Sequence, residues 1–464
     1  MSSDGAGTRA LTVLALAGML VFASCAGPED GQPTDQADHP TDATVEAPER
    51  LLESEWTVDA SSIAEGGVFV RPARLGPSPV SDAPTGAHEV GDVLVTTVRS
   101  DVNSSEYTSA QVPEQVLVAL DRADGEVLWT QQVTGALTCA EDEIEGLLPC
   151  LVGGDPHEPG TETSPAPSEP AELRFYRLSD GEVASSFPAE DAREVAVSDG
   201  SVFLAWQDPY DQPERAATIT RGSVDDPEGD WRREYPLNPD CDTGVQGFWL
   251  EAADGAVFFR GEQAFVVNAD DGTRTPDESL YSVARVPDHG YIVDLCESGN
   301  GAAIFTIEGE VVARYDDPGN VVSVVSRSGS TDAPVYLVNG AALHDFETGE
   351  LLWDRDPRYF WVLGIVGDVA LASGSAPGGP TLGLDARTGE QLWSSPFGEF
   401  GWVLGAVGDD MVTRGHNPSE VAGVALGTGE RMWSFEVPDV ARVDMVDDGI
   451  VVSTATQLDV YTVN

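Results

Sequence analysis

Five cysteines, six histidines and ten tryptophans are the residues of this 464-residue chain whose chemistry reaches beyond packing. Cys25 stands apart; Cys139, Cys150, Cys241 and Cys296 form an even set without the C-x-x-C spacing of a redox or zinc motif. Four cysteines can pair in three ways, and nearest-neighbour pairing gives Cys139–Cys150 and Cys241–Cys296. His39, His88, His157, His289, His344 and His416 are scattered. No G-x-S-x-G nucleophile elbow, H-E-x-x-H metal helix or glycine-rich phosphate loop is present. Acid pairs such as Asp270/Asp271 and Asp316/Asp317 suit calcium in ligand type but lack its loop spacing, so weak calcium binding is the most they suggest. The remaining constellation is aromatic. Trp249, Trp361 and Trp402, with Phe248, Phe360 and Phe400 beside them, recur in three similar stretches, and aromatic groups are common anchors for a partner. The expectation is therefore no catalytic residue, no metal and no cofactor, with Trp249, Phe360, Trp361, Phe400 and Trp402 as candidate partner-binding residues.

The N-terminus sets the compartment. Arg9 precedes an apolar run from Ala10 to Ala23, too short to span a bilayer but suited to an export signal. The run ends Phe22-Ala23-Ser24-Cys25, similar to a bacterial lipobox, which makes residues 1–24 a lipoprotein signal peptide and Cys25 the lipidated residue. Two acyl chains give stable attachment. Residues 25–50 follow as an acidic tether: residues 26–49 hold four prolines, seven acids and no aromatic residue, a composition that cannot bury enough surface to fold. Export agrees with disulfides. The expected location is the outer face of the cell membrane.

Charge narrows the partners. Eighty acids face 24 basic residues, all of them arginine, for a formal charge of -56. Such a surface repels nucleic acid and anionic lipid. Membrane contact is expected through the lipid anchor alone, and nothing in the pattern asks for more than a monomer.

From residue 51 to 464 one unit repeats. LDRADGEVLW (Leu120–Trp129), HDFETGELLW (His344–Trp353), LDARTGEQLW (Leu384–Trp393) and VALGTGERMW (Val424–Trp433) are strong copies. Weaker ones align on Gly181, Gly229, Gly272 and Gly309, and the last four glycines, Gly309, Gly349, Gly389 and Gly429, lie 40 residues apart. A period near 40 marks a propeller or solenoid. Each copy reads as an alternating strand, an Asp/Thr/Gly hairpin whose glycine can take positive φ, and a returning strand with Trp. Two strand candidates precede it, giving four strands per unit. The C-terminus lacks a final Trp strand, while Glu55-Trp56-Thr57-Val58 is a Trp strand without a hairpin before it. Pairing them would close a ring and remove exposed edges.

The Asp-x-x-Thr-Gly-x-x-x-Trp pattern of Asp385, Thr388, Gly389 and Trp393 resembles the repeat of pyrroloquinoline-quinone-type (PQQ-like) β-propellers, over almost everything from Glu53 to Asn464. The resemblance, in its lipoprotein form, implies an all-β single closed propeller of eight four-stranded blades with the N-terminal strand closing the last blade. Nine candidate units can be counted; eight requires that one weak unit between Val224 and Ala313 is misread. Quinoprotein dehydrogenases of the family resemble one another in a vicinal disulfide, calcium ligands and a Trp stacked on the quinone, and none of these carries over here. The expected function is a cell-surface binding or scaffold module for a protein, peptide or glycan. The alternatives are a small-molecule or cation sensor and a quinoprotein dehydrogenase-like enzyme.

Overall fold

The structure, a computed structural model, describes residues 50–71, 86–100, 114–135, 137–153, 171–208, 214–241, 249–261, 263–296, 301–315, 335–338, 342–356, 360–374, 380–395, 400–415, 419–438, 441–446 and 449–463. Cys25, the signal segment, tether residues 25–49, residues 158–170, Phe248, Asp316, Asp317, His39, His157 and His416 lie outside these residues.

The described chain is nearly all strand; a four-residue helix, Ala60–Ile63, and one short 3-10 turn, Pro239–Cys241, are its helical elements. Strands run as antiparallel meanders because alternating apolar residues are punctuated every six to ten positions by turn residues. The third unit shows the pattern: Glu194–Ser198, Ser201–Gln207, Ala216–Gly222 and Trp231–Pro236 pair in order. Its second strand is buried over Ser201–Ala205, as a strand between two neighbours and two packed faces must be.

Eight hydrogen-bonded sheets result, one of them seven-stranded. That sheet holds two units joined by a single pair, Ala264 with Leu280. Counted by strand meanders, the described residues fall into nine units within these eight sheets, which do not establish the expected closed ring of eight blades. The turns at Gly229, Gly272 and Gly309 follow the third strands of the third, fourth and fifth units. The fourth is abbreviated, its fourth strand reduced to one bridge, Val267 with Arg274. Pro276 follows at once, and a residue without an N–H cannot extend a ladder.

The N-terminal strand does join the last unit: Trp56–Asp59 pairs antiparallel with Gln457–Thr462, Trp56 opposite Val460. Nine buried apolar clusters hold the units together, eight of them drawn from two units consecutive in the chain. The ninth joins the C-terminal unit (Val451, Leu458, Val460) to the N-terminal one (Leu94, Val98, Val116).

The repeat motif is the joint between units. The indole N–H of Trp129 donates to the Leu178 carbonyl (2.7 Å), Trp353 to Ala386 (2.9 Å) and Trp393 to Leu426 (2.7 Å). Each acceptor is the second residue of the next unit's turn. The ring lies against that turn's glycine. A Cβ on Gly181 would sit 2.6 Å from Trp129 Cδ2, and one on Gly389 2.8 Å from Trp353 Cγ. Both glycines also hold positive φ, +70° and +69°. Glycine is needed there twice over, for backbone shape and for room. Inside each turn the Asp385 carboxylate accepts from the N–H of Thr388 (2.7 Å) and of Arg387 (3.0 Å), and Asp345 accepts likewise from Thr348 (2.9 Å). These are Asx-type turns that pre-form the hairpin.

Both disulfides are the nearest-neighbour pairs, Cys139–Cys150 and Cys241–Cys296. The first links directly opposed residues of adjacent strands. The second spans 55 residues and ties the segment before the fourth unit to the fifth.

Candidate functional site

The first strands of successive units lie side by side. Trp249–Ala253 rests against Glu194–Ser198, which rests against Leu137–Cys139; Phe360–Val366 rests against Phe400–Val407, and that against Arg442–Val446. The fourth strand lies on the opposite, outer side of a unit, as Val127–Thr134 and Gln391–Ser395 do.

Pairing register confirms that the three tryptophans are equivalent. Trp249 opposes Arg260, Trp361 opposes Ser373 and Trp402 opposes Arg414, each at the start of a first strand. Their surroundings differ. Trp249 is half-buried, with the Arg260 guanidinium 5.7 Å from its ring centroid. Trp361 is 56% exposed, the most exposed aromatic side chain among the described residues. Phe360, Phe400 and Trp402 are placed in their strands by backbone alone.

Around the inner strands the structure assembles a charged group that no motif announced. The Arg71 guanidinium lies between Asp444 (3.4 Å) and Glu141 (3.5 Å), and Arg442 Nε donates to Asp444 (2.7 Å). Glu251 accepts from Arg260 (3.0 Å) and Arg285 (3.3 Å), and Arg285 also donates to Asp254 (2.8 Å). These residues come from the first, second, fourth, fifth and ninth units, yet they act on one another. Burial pushes the Glu141 carboxyl up from its ordinary range, Arg71 opposes this, and Glu251 reinforces it. Burial raises Asp142 as well, against Arg285 and with Glu251. Burial lowers Arg71 and Arg260, each partly restored by its carboxylates. Glu141 nonetheless keeps 48% of its side-chain surface accessible. Water therefore reaches its carboxylate. The charged group can bind through charge-assisted hydrogen bonds; Trp361, on a first strand of another unit, can bind by ring contact.

Other candidates resolve into structural roles. His344 Nδ1 lies 3.2 Å from the Gly349 carbonyl and 3.3 Å from the Tyr315 hydroxyl, inside a repeat turn. His289 packs edge-on against Phe346. Asp270 pairs with Arg221 (3.1 Å), and Asp271 accepts from the N–H of Thr273 (2.8 Å) in a hairpin. Among the described residues no three His, Cys, Asp or Glu side chains group so as to hold a metal ion. The disulfides join residues 11 and 55 apart, not neighbours, and the carboxylates of Glu251 and Asp444 are engaged by arginines.

The sequence missed the charged group because Glu141, Asp142 and Glu251 look like any of 80 acids. The available signal was the scarce arginines, notably Arg260, which ends an apolar second strand opposite Trp249.

No family model matches the chain, and no curated protein does. Among solved structures it is similar to BamB from Moraxella catarrhalis, at 8% identity over 89% of this chain and 98% of that one, TM-score 0.42. It is also similar to Sqt1 of Saccharomyces cerevisiae, at 8% identity, 89% and 99% coverage, TM-score 0.43. A third is the quinohemoprotein alcohol dehydrogenase ADHIIG from Pseudomonas putida HK5, at 12% identity, 89% and 76% coverage, TM-score 0.39. None reaches a TM-score of 0.5, so the functional reading rests on this chain's own residues.

Proposed function

We propose that residues 51–464 form a closed nine-bladed propeller that serves as a non-catalytic binding module for a protein or peptide. It is carried to the outer face of the cell membrane on lipidated Cys25 and the tether of residues 25–50. The closing N-terminal strand and the ring of nine apolar clusters support the closed form. One observation carries the function. In a chain of charge -56, the arginines Arg71, Arg260, Arg285 and Arg442 gather around the inner strands with the open carboxylate of Glu141, and on another first strand Trp361 stands exposed. Arginine and tryptophan are the side chains that dominate binding hot spots, and balanced charge there selects a partner bearing both signs. A folded protein segment or a peptide fits this better than a glycan, which carries no such pairing.

The test is a pull-down from the native cell surface with the lipid-anchored protein, compared with Trp361→Ala and Arg285→Ala. Bound material is read by mass spectrometry. One protein retained by the parent and lost at least tenfold with both variants supports the reading. Equal retention by parent and variants removes the inner face as the site. Mass spectrometry of the mature N-terminal peptide tests the anchor: a diacylglyceryl adduct on Cys25 is expected, and an unmodified cleaved terminus overturns it.

A further inference from the structure

The outer edges of the units carry a second kind of binding surface. In the eighth unit that edge is already occupied. Arg50–Leu51 lies parallel to its Trp strand, Arg50 opposite Trp433 and Leu51 opposite Ser434. The Leu52 N–H donates to the Ser434 carbonyl (3.1 Å), and the Leu52 side chain is buried against the cluster that holds Trp433 and Phe435. The outward main-chain groups of this edge thus accept an extended segment with the order basic, apolar, apolar.

The first unit offers the same edge without a cover among the described residues. Its outer strand Val127–Thr134 ends the sheet. Trp129 opposes Ala119 as Trp433 opposes Gly423, so Thr130 holds the place of Ser434. In an antiparallel ladder a residue's N–H and C=O point to the same side. Both groups of Thr130 therefore face outward. Exposure records the difference at this one position: Ser434 is 2% exposed, whereas Thr130 is exposed, while the preceding residues Leu128 (43%) and Met432 (44%) are alike.

Edge strands are ordinarily protected by charge, proline or shortness. Val127–Thr134, VLWTQQVT, has eight residues with no charge and no proline. The outer strands of the second, third, fifth, sixth and eighth units carry one or the other, and that of the seventh has five residues. Glu126 and Asp124 flank it, so a basic leading residue is favoured.

We propose that Val127–Thr134 is a docking edge for an extended segment of a partner protein, basic then apolar, that adds as a parallel strand through the main chain of Thr130. This surface is separate from the inner face, and the two readings fail independently.

The test uses the full chain and a fluorescein-labelled synthetic peptide copying residues 48–54, followed by fluorescence anisotropy and amide hydrogen exchange. Saturable binding with slowed exchange at Thr130 and Gln132 is expected. Thr130→Pro removes an N–H that no ladder bond uses, and Leu128→Lys adds an edge charge. Each should weaken binding at least tenfold, while Trp361→Ala leaves it unchanged. No saturable binding, or binding equal in parent and both variants, overturns the proposal. Concentration-dependent self-association that protects Thr130 without peptide overturns it too, in favour of a second copy on this edge.

Discussion

Gly181 and Gly200 provide a matched pair for separating backbone shape from room. Both sit at φ +70°, so alanine at either position carries the same left-handed strain, about 1–2 kcal/mol. A Cβ on Gly200 meets nothing within 4 Å. A Cβ on Gly181 would lie 2.6 Å from two carbons of Trp129, well inside the roughly 3.5–4.0 Å of an unstrained carbon contact. Trp129 cannot simply withdraw. It is 6% exposed, and its N–H is held by Leu178. Overpacking of this kind costs about 1–3 kcal/mol. Gly200→Ala is thus expected to lose about 1–2 kcal/mol and Gly181→Ala about 2–5 kcal/mol. The assay is urea unfolding read by tryptophan fluorescence, in which equal slopes let midpoints be compared as free energies. Replacing Trp129 by Ala removes the ring carbons concerned, so the double variant Gly181→Ala/Trp129→Ala should cost less than the two single changes together. Equal losses at Gly181 and Gly200, or strict additivity in the double variant, would refute the claim that the repeat glycine exists to receive the preceding unit's Trp.

Three further outcomes are expected. His88 is fully enclosed, and burial first, then Arg71, pushes its pKa down to about 3 from an ordinary 6.5. The folded state keeps it neutral while the unfolded state takes up a proton, so stability present above pH 6.5 drains at about 1.4 kcal/mol per pH unit towards pH 3. Urea midpoints of His88→Gln should show a shallower pH slope between 6.5 and 4.5 than the parent; identical slopes contradict the assignment. For the disulfides, chain entropy gives about 3 kcal/mol for the 11-residue separation and about 4 kcal/mol for the 55-residue one. The pair Cys241→Ala/Cys296→Ala should therefore lower the urea midpoint more than Cys139→Ala/Cys150→Ala, and the reverse order counts against it. Finally, Trp361→Ala should move stability by less than about 0.5 kcal/mol at its 56% exposed position. Trp393→Ala, 6% exposed and hydrogen-bonded to Leu426, should cost about 3–5 kcal/mol in the same urea titrations.

The sequence analysis and the structure agree where the relevant physics is local. The Asp–x–x–Thr–Gly turn is legible because Asp385 and Thr388 close their own hydrogen bonds within four residues. Strand alternation is legible for the same reason, as is the unpaired Trp strand at residues 55–58, which found its place beside Gln457–Thr462. The blade count was not. Nine glycine-or-Trp signals were present, but whether the abbreviated fourth unit stands as a unit depends on its packing with both neighbours: Leu250, Val257 and Phe259 face the third unit, and Phe258 and Val266 the fifth.

By itself the sequence determined an all-β repeat architecture, the hairpin chemistry of each unit, its closing strand and an intensely acidic surface. These follow from periods of two and about 40 residues and from charge counts, which need no knowledge of what lies opposite. The charged group on the inner face was decided only by the tertiary structure. Arg71 and Asp444 are 373 residues apart, and only closure of the chain's two ends brings them to 3.4 Å. Burial then shifts Glu141 and Asp142 from the other acids of the chain, because desolvation acts on position in space and not on place in the sequence.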